Sequence, residues 1–199
     1  DIHFTTEACG RLYTNIFMQY LKENNTITIP KEVMMVIAVL QGASYEAYLV
    51  GGCVRDLSMG VIPKDYDVTT NATPEQIIAL FPKTFYENTY GTVGVVTCGE
   101  ELGTVCSDES VKIVEVTPYR LESTYSDNRH PDTVKWSNNL LDDLGRRDFT
   151  VNAMAYNPVT REIIDPYEGK KDIENKVIKA VGDANTRFNE DALRLMRAV

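Results

Sequence analysis

The stretch LVGGCVRDLSMGVIPKDYDVTT, Leu49–Thr70, decides how the rest of the chain is read. Leu49 and Val50 close a short apolar run with the character of a buried strand. Gly51-Gly52 is a turn in which a backbone without Cβ atoms approaches another group closely. Arg55 and Asp56 follow on the first turns of a short helix. Beyond a second turn, Gly60 to Pro63, comes Asp65-Tyr66-Asp67-Val68. On a strand, Asp65 and Asp67 project from one face. Two carboxylates side by side repel, so a divalent cation would make the pairing favourable, and hard Mg²⁺ prefers carboxylate oxygens. The glycines and Arg55 suit a phosphate. Phosphate plus Mg²⁺ points to nucleotide chemistry. The plainer reading of the same residues is a tight turn followed by an exposed acidic strand.

The surrounding chain sets bounds on this. Its 199 residues allow one large domain, or one domain and the start of another. With 43% hydrophobic and 25% charged residues it has a globular profile. Apolar runs such as Val33–Leu40 fall far short of a membrane span. No signal-peptide pattern opens the chain, and Asp1 in place of Met fits a trimmed start. A net charge of −9 is the wrong sign for tight, non-specific nucleic-acid binding, although a local basic groove is compatible with it. Cys9, Cys53, Cys98 and Cys106 form no CxxC, and His3 and His130 are the only histidines, which argues against structural zinc. Free buried thiols in a reducing cytoplasm are the plain expectation.

Residues 1–24 carry helical spacing, and a second helix starts at Pro30 with Val33, Val36, Ile37 and Leu40 as its apolar stripe. Glu46–Val50 reads as the first strand. Thr73 and Pro74 are N-cap and first position of a further helix, with Ile77, Ile78 and Phe81 inward. Thr84–Tyr86, Thr92–Thr97 and Val111–Thr117 read as strands. In the last, Val111, Ile113 and Glu115 share one face. Glu115 there is either the partner of a cation such as Arg120 or a third carboxylate beside Asp65 and Asp67. Arg120–Trp136 reads as a long polar loop, of the kind that often carries function.

Leu140–Leu144 is a short helix. After it, Arg146 and Arg147 have the pattern of solvated cations, and Asp148 that of a cap on a helix beginning near Val151. Asn157–Ile164 is a hairpin, and short helices follow at Lys170–Lys176 and Asp183–Phe188. In Asn189–Val199, Asn189 is the expected cap, and Asp191, Arg194 and Arg197 step by three along one polar face as a salt-bridged set. That helix breaks off mid-pattern at Val199, which predicts that the natural chain continues.

Taken in order, several blocks resemble the class II tRNA nucleotidyltransferases and bacterial poly(A) polymerases, within the polymerase-β-like nucleotidyltransferases. They are LVGGCVRD with KDYDVTT, VEVTPYR (Val114–Arg120), YSDNRHPDTVKW (Tyr125–Trp136), LLDDLGRRDFTVNAMAYNP (Leu140–Pro158), IIDPYEGKKDI (Ile163–Ile173) and RFNEDALRLMRAV (Arg187–Val199). Together they span about residues 46–199. The resemblance implies an α+β head with a mixed, mostly antiparallel sheet flanked by helices over residues 1–165. It also implies the start of an all-α neck over 166–199.

As activity it implies template-independent addition of CMP and AMP, from CTP and ATP, to a tRNA 3′ end. Asp65, Asp67 and Glu115 would be the catalytic carboxylates, with the two aspartates holding Mg²⁺, two ions during catalysis. Gly51, Gly52 and Arg55 would meet the triphosphate. Arg147, Asp148 and Asn152 would meet sugar and phosphates, and Asp191 and Arg194 would read the base, supported by Arg197. A carboxylate and a guanidinium suit the amino donor and ring-nitrogen acceptor that cytosine and adenine share, and mismatch uracil and guanine. Tyr125, Asp127 and Arg129 fall in the family's flexible loop, and His130 stands where many members carry a second arginine. A membrane has no place in this reading, the tRNA-holding surface would lie in a further C-terminal part, and the cytoplasm is the expected compartment. The rivals are a poly(A) polymerase or A-adding enzyme of the same family, and a non-catalytic nucleotide-binding module, which would be expected to lose the aspartates retained here.

Overall fold

The computed structural model describes residues 29–87, 90–99, 102–122 and 133–199. The helix expected within residues 1–24 and the loop residues Tyr125, Asp127, Arg129 and His130 lie outside them. Among the described residues a seven-stranded sheet carries the fold. In chain order the elements are α1 (Lys31–Gly42), β1 (Ala47–Val50), α2 (Gly52–Ser58), β2 (Asp67–Thr70), α3 (Pro74–Leu80), β3 (Thr84–Tyr86) and β4 (Val93–Val96). There follow β5 (Ile113–Pro118), β6 (Arg120–Glu122), β7 (Val134–Trp136), α4 (Leu140–Gly145), β8 (Ala155–Asn157) and β9 (Glu162–Ile164). The last are α5 (Gly169–Glu174), α6 (Ala184–Glu190) and α7 (Leu193–Arg197).

The strand order is β3-β4-β5-β2-β1-β8-β9. Every neighbouring pair is antiparallel except β2 and β5, which run parallel. This is the mixed, mostly antiparallel sheet that the sequence predicts. One face is mainly apolar. The row Leu49–Val68–Val116–Val93 crosses four strands in register, and all four residues are buried. α1 covers that face with Val33, Val36, Ile37 and Leu40, none of them exposed. Each such side chain contributes about 1.5–3 kcal/mol of burial. α3 closes the same core through Ile77 and Phe81, started by a complete capping box between Thr73 and Gln76.

The second face is covered over only part of its width. Val50, Tyr119, Leu140, Leu144 and Ala155 form a smaller core under α4. Next to that cover, the row of residues facing the same way as Val50 opens to solvent: Asp67, Glu115, Gly94 and Phe85 in successive strands. The site lies along this open row.

Several local expectations are corrected. Asp65 lies in a bend before β2, because Tyr66 between the aspartates turns into the core at 6% exposure instead of starting the strand. The inward residues of β5 are Val114 and Val116; Ile113 and Glu115 face out. The ends of the expected Arg120–Trp136 loop pair as strands, Arg120 opposite Trp136. Cys98 and Cys106 form a disulfide, with Cα atoms 5.4 Å apart, where free thiols were expected. The antiparallel Gly99–Thr104 backbone bridge lies between the two cysteines in the chain. Cys53 is free and buried, its thiol pushed up to about 12 by burial, as suits a packing residue.

Candidate active site

The acidic half of the site is set by strand register. Asp67 and Glu115 are partners across the parallel pair, so their side chains leave the sheet on the same face. Burial pushes the Asp67 carboxyl above its ordinary value; Arg147 works against this and Asp65 adds to it. Partial burial raises Glu115 as well, followed by the charges of Asp67, Glu87 and Asp65. The register sets Glu115 beside Asp67 on the same face. The Arg120 guanidinium instead donates to Tyr90 O at 3.0 Å and lies over the Tyr90 ring.

The basic half begins at the glycine turn. Gly51 has φ +76° and ψ −140°, a backbone region open essentially to glycine. A Cβ there would stand 3.1 Å from Arg147 Nη1 and 3.6 Å from Asp67 Oδ2. Glycine therefore serves both the turn and the close approach of Arg147 to Asp67. Arg147 is not solvated as its sequence pattern suggested. Its Nη2 donates to Asp143 Oδ2 at 3.0 Å, and its buried Nε has no partner.

Asp143, absent from the sequence-derived set, anchors this arginine. It is fully buried and accepts from Arg146 Nε at 3.0 Å and Nη2 at 2.7 Å, from Arg147, and from Thr69 Oγ1 at 3.3 Å. Burial alone would raise its carboxyl, but the two guanidinium groups hold it below the ordinary range. The signal was present in the sequence as a carboxylate three and four residues before two arginines, one helical turn away.

A second network joins the remaining residues. Arg55 Nη1 donates to Asn152 Oδ1 at 2.9 Å, and Asn152 Nδ2 donates to Asp148 Oδ1 at 3.1 Å. Arg197 Nε donates to Asp148 Oδ2 at 2.8 Å, and its Nη2 to Asp191 Oδ2 at 3.1 Å. Burial would raise Asp148, but Asn152, the Phe149 N–H and Arg197 hold it low. Asp148 is thus a hub rather than a helix cap, and the segment after it is a short 3₁₀ turn, Thr150–Asn152.

The C-terminal expectation is corrected at Asp191. Asn189 belongs to α6, and the chain extends at Asp191 before α7 begins. The break separates Asp191 from Arg194. Arg194, 5% exposed, pairs with Glu190 and donates to Arg187 O at 3.0 Å. Asp191 pairs with Arg197 instead. The Asp191–Arg194 pair that the spacing predicts is therefore not joined by a salt bridge; Arg197 is the partner of Asp191.

The residues fit a cation and a polyphosphate side by side. Burial and neighbouring carboxylate charge, that of Asp65 included, raise Asp67 and Glu115 above their ordinary values, while Arg147 Nη1 lies against the turn that Gly51 leaves open. Among the described residues no three Cys, His, Asp or Glu side chains converge as a preformed metal centre. Asp65, on its bend, and Glu115 are exposed, and Asp67 is half-buried.

Such a sheet, with an acidic row beside a glycine turn, is the head of a polymerase-β-like nucleotidyltransferase. The chain belongs to the family described as the poly(A) polymerase head domain, whose model matches residues 47–179. It is 45% identical over 175 residues to the CCA-adding enzyme of Leuconostoc citreum, covering 86% of this chain and 40% of that protein. It is 44% identical over 169 residues to the CCA-adding enzyme of Lactobacillus helveticus, covering 84% and 39%. Among solved structures it resembles the Bacillus stearothermophilus CCA-adding enzyme in complex with CTP, with TM-score 0.70 and 40% identity over 84% of this chain and 37% of that one. The chain spans about 40% of the length of the curated relatives it matches. Among the described residues no helix is long and apolar enough to cross a membrane.

Proposed function

We propose that the protein adds CMP and AMP, from CTP and ATP, to the 3′ end of tRNA. The observation that carries this is the pairing of Asp67 with Glu115 across β2 and β5, with Gly51 and Arg147 on the other flank of Asp67. That arrangement sets carboxylates for a metal beside donors for a triphosphate. The names of the relatives supply the substrates.

In this reading Asp65 and Asp67 hold Mg²⁺, and Glu115 completes the acidic set. The metal, when bound, lowers the pKa of the attacking hydroxyl and neutralises charge on the departing pyrophosphate. Gly51, Gly52, Arg55 and Arg147 hold the triphosphate, with Asp148 and Asn152 keeping Arg55 in place. The 3′-oxygen bonds to the α-phosphorus as the bond to pyrophosphate breaks. Asp191 and Arg194 read the base, which requires Arg194 to exchange Glu190 for the nucleotide. Tyr125, Asp127 and Arg129 belong to a loop used in the change from C to A addition. Residues from 166 onward begin a helical neck, and a further C-terminal part holds the tRNA. The activity is cytoplasmic.

The test is nucleotide addition by the full-length protein to a tRNA lacking its CCA end, with CTP and ATP supplied singly and together. Addition of two C residues and one A, then arrest, is the expected result. Long A tracts on unrelated RNA would favour a poly(A) polymerase, and nucleotide binding without turnover a binding module.

A further inference from the structure

The open row does not end at Glu115. Gly94 is its partner in β4, and Phe85 is the partner of Gly94 in β3. The Phe85 ring lies flat across Gly94, where a Cβ would come 2.5 Å from Cζ and 2.8 Å from each Cε. Gly94 is buried under that ring, yet Phe85 itself is 39% exposed on the open face. With strands ~4.8 Å apart, the ring reaches the edge of the carboxylate site.

We infer that Phe85 is a stacking platform for the base of the 3′-terminal nucleoside of the RNA being extended. The inference rests on the nucleotidyl-transfer reading of the site and deepens it. In-line displacement requires the attacking oxygen and the leaving pyrophosphate on opposite sides of the α-phosphorus. The triphosphate donors, Gly51 and Arg147, lie on the β1 side of Asp67. The hydroxyl must then arrive from the β5 side, over Glu115, and the nucleoside that bears it lies over Gly94 and Phe85. Charge agrees with this placement. Glu87, two residues along from Phe85, adds its charge to that of Glu115, a setting that repels phosphate and favours an uncharged base on the ring. Aromatic rings stack on bases with little sequence preference, which suits a platform that must accept a different terminal base after each addition.

The test compares Phe85→Leu and Phe85→Trp in the full-length protein, with KM measured separately for RNA and for CTP. A second RNA carries an abasic 3′-terminal nucleotide. Phe85→Leu is expected to raise the RNA KM about tenfold, with the CTP KM within about twofold of the parent. Phe85→Trp is expected to restore binding, and the abasic RNA to abolish the difference between parent and Leu variant. A Leu variant that behaves as the parent overturns the proposal. So does an effect on CTP alone, or a Leu effect that persists on abasic RNA, which would mark Phe85 as cover for the sheet. If the unsubstituted protein adds no nucleotide at all, the nucleotidyl-transfer reading itself fails, a result distinct from all of these.

Discussion

Asp67 and Glu115 face each other across the parallel pair β2/β5, two carboxylates on one face of the sheet, each raised above its ordinary value first by burial, with the charge of Asp67 adding to the rise at Glu115. Both carboxyls sit above their ordinary values, so at neutral pH the folded protein holds charge it would rather shed. Asp67→Asn removes that strain. The expected outcome is a melting temperature in EDTA at or above that of the parent. The stabilisation by Mg²⁺ should disappear and nucleotide addition should fall about 10³-fold or more, the several kcal/mol a metal contributes. Melting curves with and without Mg²⁺, alongside turnover, check all three.

Asp143 has the opposite sign. Its folded-state value is depressed, after the opposing effect of burial, by Arg146 and Arg147. The stability it contributes is therefore fully present above the unfolded carboxylate value, about 4. It is lost as pH falls through the lower folded value. Asp143→Asn leaves two guanidinium groups short of a buried partner, at a cost of about 3–5 kcal/mol. Thermal melts from pH 7 down to about 2.5 should show a large gap at neutral pH that closes at the acid end. A gap constant with pH would contradict the assignment.

Gly51→Ala tests the cradle. The backbone at φ +76° penalises any Cβ by about 1–3 kcal/mol, and the new methyl meets Arg147 Nη1. The KM for nucleoside triphosphate should rise, with the affinity for RNA unchanged, measured on the full-length protein. Gly60 has a similar φ of +73° but nothing within reach of its Cβ. Gly60→Ala should therefore cost stability alone.

Arg194 and Asp191 should separate in a melting experiment. Arg194 is buried and bonds to Glu190 and Arg187 O, so Arg194→Ala should lower the melting temperature and also relax discrimination against UTP and GTP. Asp191 pairs with the half-exposed Arg197, an interaction worth about 0–1 kcal/mol. Asp191→Ala should relax discrimination with little change in melting.

The sheet, α1, the α3 cap and the β8/β9 hairpin are legible in the sequence because local patterns specify them: alternating apolar residues, Thr73-Pro74 and turn residues. The strands that carry Asp67 and Glu115 are legible in the same way, but the bend that takes Asp65 off the strand is not. What local pattern does not carry is register. The neighbour relation of Asp67, Glu115, Gly94 and Phe85 joins strands far apart in the chain, and Phe85 alone reads as an ordinary strand residue. Partner choice is hidden for a similar reason. The i,i+3 spacing of Asp191 and Arg194 suggested a pair, but the backbone extends at Asp191 and Glu190 takes Arg194. Asp143 is not legible in the sequence because an acidic residue near two arginines reads as solvated surface unless burial is known.

The most direct test of the site is a structure of the full-length protein with CTP and Mg²⁺. The account predicts an ion bound by Asp65 and Asp67. The triphosphate should lie against Gly51 and Arg147, and the Glu115–Phe85 side should remain open for RNA. An ion held away from Asp67, or a triphosphate lying over Gly94 and Phe85, would contradict it.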